Sequence, residues 1–477
     1  MNESVAVARD EGPRIDPRVV ESLDGAAWLW KRMALSATPC AEAPRVPVPV
    51  ELRSILRLLE IAANGSPTGG PSVPSAGALY PYEHYAVVAG TEGPAVYGVD
   101  VARRGCRLLR AGSQVERALD RADLALRRPG RALVLNVVRP WLSMRKYGNR
   151  GYLYAQLDAA HLATHLLCLT RDAGGGAELR TRIAASPVTE LLALDPACRF
   201  LHSVLVVDGG PEAARSYCDT AWTCSDVRDD PVAATVVKGL ETECWQTIAA
   251  HRAMSPVPRP HPVRLQTLIP GIVPPPDTGP LPYPEPWTGL AARRRSAKDF
   301  ADLPLTARVL RYALAALATP LTTDLSPGTE LGTTLVVRDV TGWRPGSYPL
   351  HGPAGLAAVP VAPPPSGDEV VRVCMGQEHL RHAAATVLFH APREEIVNGG
   401  ARGVDDALLR AGALAHLLYL GATAAGVAVT GVGGFDADRW RALTALPEAH
   451  DVLYVVMLGV PGNGPVKLDR LSTPHRG

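Results

Sequence analysis

The chain lacks a marked excess of either charge, because 49 basic residues face 47 acidic ones and the formal net charge is +2. A dedicated nucleic-acid-binding protein usually carries a basic excess or stripe, and here the arginines are scattered apart from the triplet Arg293–Arg295. No apolar run approaches the roughly 20 residues that cross a bilayer. The acidic N-terminus Met1–Glu11 has no signal-peptide layout. The composition predicts a cytoplasmic protein with no nucleic-acid or membrane partner.

Paired metal-ligand motifs are also missing. The eight cysteines are dispersed and none forms Cys-x-x-Cys; the nearest two, Cys218 and Cys224, have no His/Cys pair at zinc-ligand spacing. Buried reduced thiols, such as Cys168 in an apolar helix, are the favoured interpretation. His161 and His165 lie four apart and could hold a metal, but the His-Glu-x-x-His pattern is absent. We therefore predict no metal site and hydrogen-bonded core histidines.

What the chain does have is a weak internal repeat. At 477 residues it is too long for one ordinary core, so two domains are expected. The segment Leu162–Leu169 aligns with Ala413–Leu420, and each lies in a long apolar stretch. Small residues recur in both stretches and would let helices approach closely; they are Ala155, Ala159 and Ala163 in the first, and Ala411, Ala415 and Gly421 in the second.

The flanks of the two stretches match as well. Amphipathic helices are predicted at Leu52–Leu59 and Ala307–Leu314, and hydrophobic strands at Phe200–Val207 and Val452–Leu458. Both halves therefore follow the order helix, strands, central helix, final strand. This order predicts an α+β fold in which helices pack on a mainly antiparallel sheet.

A proline-rich stretch, Ser255–Trp287, separates the halves and favours an extended spacer. The predicted organisation is a first domain at 1–215, an insertion and linker at 216–287 with a helix near 233–251, and a second domain at 288–477. Disorder of the whole middle region is the alternative, which the aliphatic residues there disfavour.

The segment Pro74–Pro81 reads Pro-Ser-Ala-Gly-Ala-Leu-Tyr-Pro. Its small residues let a backbone approach a flat group closely, Gly77 permits dihedrals that other residues resist, and the prolines stiffen both ends. A strand, Glu83–Val88, follows. An ordinary Gly/Pro turn before a strand is the structural alternative.

A second motif, Arg145–Tyr154, contains an adjacent Lys-Tyr pair just before the first long apolar helix. In this order and spacing the two motifs resemble the nitroreductase superfamily, and specifically its azoline-dehydrogenase branch, which oxidises thiazolines and oxazolines in ribosomally made peptides. The resemblance implies a flavin-contacting loop at Pro74, Ser75, Ala76, Gly77 and Ala78, and catalytic residues at Lys146 and Tyr147.

The second half carries Arg-Arg-Ser-Ala-Lys-Asp-Phe at 294–300, which is similar to an N-terminal Arg-Arg-Ser motif of the superfamily, with Lys298 in place of an arginine. A phosphate group carries about two negative charges and accepts charge-assisted hydrogen bonds from such cations. The resemblance implies that Arg294, Arg295, Ser296 and Lys298 bind the FMN phosphate and ribityl chain. Taken without its context, a basic triplet is usually a solvated surface patch.

Two further elements of the second half fit the same resemblance. The turn at Gly433 and Gly434 is similar to the superfamily turn that lies over the isoalloxazine ring, and Lys467 and Arg470 stand where further phosphate-binding cations are expected.

Each half lacks what the other keeps. The first half has Trp28–Ser36 in place of the arginine motif and Ile183–Thr189 in place of the glycine turn, whereas the loop counterpart in the second half, Asp324–Leu331, is eroded. Nitroreductases are usually homodimers with flavin at the interface. The resemblance therefore implies an intrachain pseudo-dimer with one composite site and one FMN per chain.

The implied activity is FMN-dependent oxidation of thiazoline or oxazoline rings in a precursor peptide, with that peptide and the cyclodehydratase that forms the rings as partners. Lys146 would be the base, a role that burial near apolar rings or another cation would favour. The structural alternative is an exposed lysine beside an anchoring tyrosine. Two alternatives stay open. One is another superfamily oxidoreductase that uses NAD(P)H, which would not need the Lys-Tyr pair. The other is a flavin-free peptide-binding scaffold.

Overall fold

A computed structural model of the chain describes residues 45–46, 48–64, 71–102, 104–128, 130–194, 198–209, 222–225, 242–254, 266–267, 286–325, 331–351, 355–356 and 359–464. The chain divides into a unit of Met1–Arg45 and a unit of Val46–Gly477. Arg45 is the one described residue of the first unit, and all the other described residues belong to the second.

Within the described residues the chain forms α-helices with these bounds: α1 Arg53–Asn64, α2 Ser113–Arg121, α3 Trp141–Tyr147, α4 Arg150–Asp172, α5 Ala185–Leu191, α6 Thr242–Met254, α7 Trp287–Arg293, α8 Ala307–Ala315, α9 Gly367–Val373, α10 Arg393–Asn398, α11 Gly400–Ala424 and α12 Ala437–Leu443. Single turns of 3-10 helix lie at Val50–Leu52, Ala76–Ala78, Ala316–Ala318 and Glu378–Leu380.

The strands in the same residues are β1 Arg45–Val46, β2 Tyr82–Gly90, β3 Gly93–Asp100, β4 Gly105–Ala111, β5 Ala132–Val138, β6 Gly176–Arg180, β7 Phe200–Asp208, β8 Thr223–Ser225, β9 Gln266–Thr267, β10 Leu305–Thr306, β11 Thr322–Thr323, β12 Gly332–Val337, β13 Val340–Thr341, β14 Gly346–His351, β15 Gly355–Leu356, β16 Ala385–Pro392, β17 Ala428–Val432 and β18 His450–Gly459. The predicted strands at Glu83–Val88, Phe200–Val207 and Val452–Leu458 fall inside β2, β7 and β18.

The two halves have sheets of the same topology. In the first half the strands run in the order β3-β2-β5-β7-β6, and in the second in the order β14-β12-β16-β18-β17. Every neighbouring pair in both series is antiparallel. The predicted α+β repeat is therefore confirmed. The halves also share a sheet, since β11 of the second half adds a parallel strand beside β6 of the first.

The central helices α4 and α11 pack against each other across the boundary between the halves. A Cβ on Gly412 would come within 2.5 Å of the Ala160 Cβ and 3.0 Å of the Leu157 carbonyl oxygen, so only glycine allows this approach. The small residues of both helices thus serve the close packing that the sequence predicts. By length and composition α11 could span a membrane, with mean hydropathy 1.3, but 83% of that stretch is buried inside the protein, as in a core helix.

A capped helix start fixes the end of the glycine turn in the second half. Asp436 precedes α12, and its Oδ1 accepts a hydrogen bond from the Arg439 N–H at 3.0 Å. Such an N-cap supplies a partner for one of the free amides of the first turn. The chain therefore leaves β17, forms the turn and enters α12 at a defined residue.

Most of the predicted insertion and linker, 216–287, lies outside the described residues. A helix does occur there, at Thr242–Met254, several residues after the predicted start. The division at residues 215 and 287 stays a prediction.

Candidate active site between the two halves

A cavity of about 840 Å³ lies where the first half meets the second. Its volume is in the range of small-molecule and cofactor sites. Most of the residues predicted from the motifs line it: Pro74, Ser75, Ala76, Gly77, Ala78, Tyr147, Arg294, Arg295, Ser296, Lys298, Gly433 and Gly434. Lys146 stands beside it, whereas Lys467 and Arg470 lie outside the described residues. The structure brings these residues together, and their roles stay predictions.

The Pro74–Ala78 loop is held by a buried carboxylate on α4. The Ser75 hydroxyl donates to Asp158 Oδ2 at 2.6 Å, and the Ala76 N–H lies 3.1 Å from both carboxylate oxygens. Gly77 and Ala78 adopt positive φ angles of 63° and 55°. A positive φ in a residue other than glycine is uncommon and is tolerated where the surroundings fix the backbone. Asp158 provides that fixation.

Burial dominates the electrostatics of Asp158. It raises the pKa of the carboxyl to about 7, against the opposite effect of the hydrogen bonds from Ser75 and Ala76. The sequence analysis missed this residue. Its available signal was a lone acidic residue in the otherwise apolar stretch of α4.

This pKa predicts a pH-dependent contribution to stability. The folded-state pKa of Asp158 is near 7, above the ordinary value of 3.8. The protonated carboxyl therefore makes its full contribution to the free energy of unfolding below about pH 4, and this contribution is lost as the pH rises through 7. Urea unfolding of wild type and Asp158→Asn at pH 5 and pH 8 isolates it, because other groups titrate alike in both. We expect the free energy of unfolding of wild type to fall by on the order of 2 kcal/mol relative to that of the variant between pH 5 and pH 8. A constant difference would show that Asp158 is ionised throughout, and a difference that grows in favour of wild type would contradict the raised pKa.

Lys146 and Tyr147 end helix α3 directly against the loop. A Cβ on Gly77 would collide with the Tyr147 hydroxyl and lie 2.8 Å from Lys146 Nζ, so these contacts and the positive φ together favour glycine there. Tyr147 packs edge-on against Tyr154, with ring centres 5.0 Å apart. Lys146 itself is exposed, as in the structural alternative, and it lies in the last turn of this short helix beside the cavity.

The opposite wall carries a buried cation. Arg294 is only 6% exposed and follows α7; its Nε donates to the Ser72 carbonyl and its guanidinium lies 5.5 Å from the Tyr419 ring centre. Burial lowers its pKa, yet among the described residues it forms no ion pair. An unpaired buried charge is costly. The site is thus suited to an anion.

Ser296 completes this wall with a hydroxyl group. The Tyr419 hydroxyl accepts the Gly431 N–H at 2.6 Å and lies 3.1 Å from Ser296 Oγ, and either hydroxyl can donate in that pair. When Tyr419 donates, the Ser296 proton is available to a group in the cavity.

The glycine turn is held by side chains from both halves. A Cβ on Gly433 would lie 2.6 Å from Tyr154 Cε1, whereas Gly434 has room. Arg150 Nε donates to the Gly433 carbonyl at 3.1 Å, and Gln377 Nε2 donates to that of Gly434 at 2.9 Å. Close packing, more than backbone dihedral, therefore requires the first glycine. Neither Arg150 nor Gln377 was predicted, since each acts over a long sequence separation.

Strand register locates the pseudo-symmetric counterpart of this turn. In the first half, Arg180 of β6 pairs with Val204 of β7. In the second half, Val432 of β17 pairs with Val455 of β18 at the corresponding place. The counterpart of Gly433–Gly434 is therefore Thr181–Arg182, two residues before the Ile183 that the sequence analysis chose. That alignment was wrong because it ignored the strand end.

The counterpart site is closed by the protein's own groups. Asp324 Oδ1 accepts from the Thr181 N–H at 2.8 Å, and its Oδ2 accepts from the Arg182 N–H at 2.8 Å. Arg182 in turn pairs with Asp406 at 2.9 Å. The backbone amides and the arginine that would contact a ligand in this counterpart site are thus already bonded to carboxylates of the protein.

The remaining candidates are structural. His161 and His165 are buried and hydrogen-bonded in the core. The six cysteines among the described residues are buried and form no disulfide there, Cys168 included, and no group of three metal-ligating side chains occurs in that part of the chain. Cys218 lies outside it.

The fold and site define a protein of two repeated α+β halves that share one cofactor-sized cavity. Residues 291–460 match the nitroreductase family, so the second half is a nitroreductase-family domain. This match supports an oxidoreductase. No curated protein matches the chain in sequence.

Solved structures agree with this fold. A candidate nitroreductase from Anabaena variabilis ATCC 29413 is 18% identical, with a TM-score of 0.64, over 94% of this chain and 97% of that one. A candidate nitroreductase from Ralstonia eutropha JMP134 is 17% identical over 42% of this chain and 100% of its own, with a TM-score of 0.26. A chain of the E. coli microcin synthetase McbBCD complex with truncated pro-MccB17 bound is 16% identical over 35% of this chain and 68% of its own, with a TM-score of 0.30. Only the first similarity is strong enough to support the fold, and it spans both halves.

Proposed function

We propose that the chain is an FMN-dependent dehydrogenase that converts thiazoline or oxazoline rings of a ribosomally made peptide into thiazoles or oxazoles. One observation carries the proposal. Lys146 and Tyr147 of the first half sit against Gly77, and Tyr147 lines the same cavity as the cations of the second half, with Lys146 beside it. A base beside a cofactor-sized cavity is the arrangement that ring oxidation needs.

The residues present suit FMN. Arg294 is a buried cation that lacks an acidic partner among the described residues, and Ser296 adds a hydroxyl group to the same wall. Together with Arg295 and Lys298 they would hold the phosphate end. The tightly packed turn at Gly433 would meet the flat ring.

The chemistry divides between cofactor and protein. Bound FMN would supply the two-electron acceptor for a hydride from the azoline ring, and oxygen would regenerate it. Lys146 Nζ, in its neutral amine form, would take the second hydrogen as a proton, and the Tyr147 hydroxyl would hold the ring in place or relay that proton. The exposure of Lys146 at the rim suits a ring that arrives on a long peptide chain.

The proposed partners are an azoline-bearing precursor peptide and the cyclodehydratase that supplies it. Mass spectrometry of such a peptide, incubated aerobically with the FMN-loaded protein, tests the activity. We expect a loss of two hydrogens per ring. An unchanged peptide, together with NAD(P)H-dependent reduction of a quinone or nitroaromatic, would favour the other oxidoreductase function.

The closed counterpart site predicts one FMN per chain. Flavin released by denaturing the purified protein, divided by protein from amino-acid analysis, should give one equivalent. Asp406→Ala should leave this ratio unchanged, because Asp324 still occupies the backbone amides of the counterpart turn. Two equivalents in wild type would show that the counterpart site binds flavin.

A further inference from the structure

Five buried polar side chains form an unbroken hydrogen-bonded chain from the core to the cavity. Ser72 Oγ lies 2.8 Å from His165 Nε2, and His165 Nδ1 lies 2.9 Å from His416 Nε2. His416 Nδ1 lies 3.4 Å from His161 Nδ1, and His161 Nε2 lies 3.2 Å from the Tyr454 hydroxyl. Tyr454 lines the cavity. This series of hydrogen bonds crosses between the central helices α4 and α11. It is not part of the proposed hydride and proton transfer.

All three histidines are neutral, because burial lowers the pKa of His161 and His165 to about 3 and holds that of His416 well below its ordinary value. The nearby Arg294 acts in the same sense on each. A neutral imidazole has one N–H and one bare nitrogen. Each ring can therefore accept on one side only if it donates on the other, so the chain has a single direction.

Ser72 sets that direction. Its hydroxyl lies 3.1 Å from the carbonyl oxygens of both Ile61 and Ala62, near the end of α1. A hydroxyl that gave its proton to His165 would face two carbonyl oxygens with lone pairs only. The Ser72 proton therefore points to the carbonyls, and Ser72 accepts from His165.

The rest of the chain follows ring by ring. His165 carries its proton on Nε2 and accepts at Nδ1 from the Nε2–H of His416. His416 then accepts at Nδ1 from the Nδ1–H of His161. The bare Nε2 of His161 takes the Tyr454 hydroxyl proton. The Tyr454 oxygen is left with its lone pairs toward the cavity.

We propose that this chain makes Tyr454 a fixed hydrogen-bond acceptor in the cavity, and that Tyr454 receives a donor group of the bound flavin, either the ring imide N–H or a ribityl hydroxyl. The proposal rests on the proposed FMN site. It gives the cavity two poles: donors around Ser296 and Arg294 for the phosphate, and an acceptor at Tyr454 for a neutral donor of the same ligand. Ser72, His165, His416 and His161 are positioning residues, because they act through Tyr454.

Histidine ¹⁵N NMR of the FMN-free protein tests the direction without any flavin. Single His→Gln variants assign the signals. We expect His165 and His416 as Nε2–H tautomers and His161 as the Nδ1–H tautomer. An Nε2–H tautomer at His161 would overturn the proposal, and this result would stand whether or not the protein binds FMN.

FMN affinity tests the consequence. Tyr454→Phe should weaken FMN binding roughly 3–10-fold, which is the range for one neutral hydrogen bond. Ser72 does not touch the cavity. Ser72→Ala should allow the hydrogen bonds between the three histidines and Tyr454 to reverse their direction, and should weaken FMN binding by up to the same factor. It should add nothing in the Tyr454→Phe background. Ser347→Ala, at another fully buried serine outside the cavity lining, serves as the control and should change nothing.

An equal loss from Ser72→Ala in both backgrounds would mean that Ser72 acts only through the fold, and would overturn the positioning role. No loss from Tyr454→Phe would overturn the acceptor role. FMN methylated at the imide nitrogen separates the two donor sources. If the Tyr454→Phe effect vanishes with this analogue, the imide N–H is the donor, and if it persists, a ribityl hydroxyl is.

Discussion

Lys146→Ala should keep its FMN and lose azoline oxidation by roughly 10²–10⁴-fold, the usual range for general-base help. FMN stays because the cations that would hold its phosphate, Arg294 above all, belong to the other half of the chain. The absorbance spectrum of the purified variant reports the cofactor, and mass spectrometry of the peptide reports the turnover. The two readings separate failure of binding from failure of chemistry.

Arg145→Ala is the matched control for this variant. Arg145 is the preceding residue of α3 and is also exposed, but its guanidinium lies 6.0 Å from the Trp141 ring centre, not against the loop. It should turn over as wild type does. Tyr147→Phe should lose less than Lys146→Ala if its hydroxyl only holds the ring, and as much if it relays the proton. A yellow Lys146→Ala protein with near-native turnover would remove Lys146 from the chemistry.

The second large effect is expected at the phosphate end. The double variant Arg294→Ala, Ser296→Ala should be purified without flavin, since each charge-assisted bond to an anion is worth roughly 1.5–3 kcal/mol, or about 10–150-fold in affinity. Excess FMN should partly restore binding. Titration of FMN-free protein, followed by flavin fluorescence, gives the dissociation constants.

Arg294 also bonds the Ser72 carbonyl, so a folding defect must be separated from loss of a ligand contact. Ser296→Ala alone leaves the bond between Arg294 and the Ser72 carbonyl in place. This single variant should still weaken FMN binding. Arg308→Ala, an exposed arginine of α8, should leave the affinity unchanged. Unchanged flavin content in the double variant would exclude this wall as the phosphate site.

The repeat and the main cavity walls were predictable because their signals are local. The apolar, small-residue pattern of Leu162–Leu169 and Ala413–Leu420 predicts two core helices, and both occur, in α4 and α11. The Pro74–Ala78 loop and the Arg-Arg-Ser motif are each contiguous in sequence. Each needs only its own residue types to be noticed.

The supporting residues were not predictable in this way. Asp158 contacts Ser75 across 83 positions, and Arg150 contacts Gly433 across 283. A single aspartate or arginine in a helix carries no periodicity that would point to so distant a partner. Sequence alone also does not show which helix ends lie at a cavity rim, so it left open whether Lys146 is buried or exposed. The closed counterpart turn needed strand register, which only the folded sheet supplies.

The most direct test of the central claim is the anaerobic mixing of FMN-loaded protein with an azoline-bearing peptide, while the oxidised-flavin absorbance is recorded. The account predicts that this absorbance disappears as one FMN per chain is reduced, and that one azole ring forms for each flavin reduced. The absorbance should recover when oxygen is admitted. Retention of the oxidised-flavin spectrum with the peptide, but rapid bleaching with NAD(P)H, would contradict it.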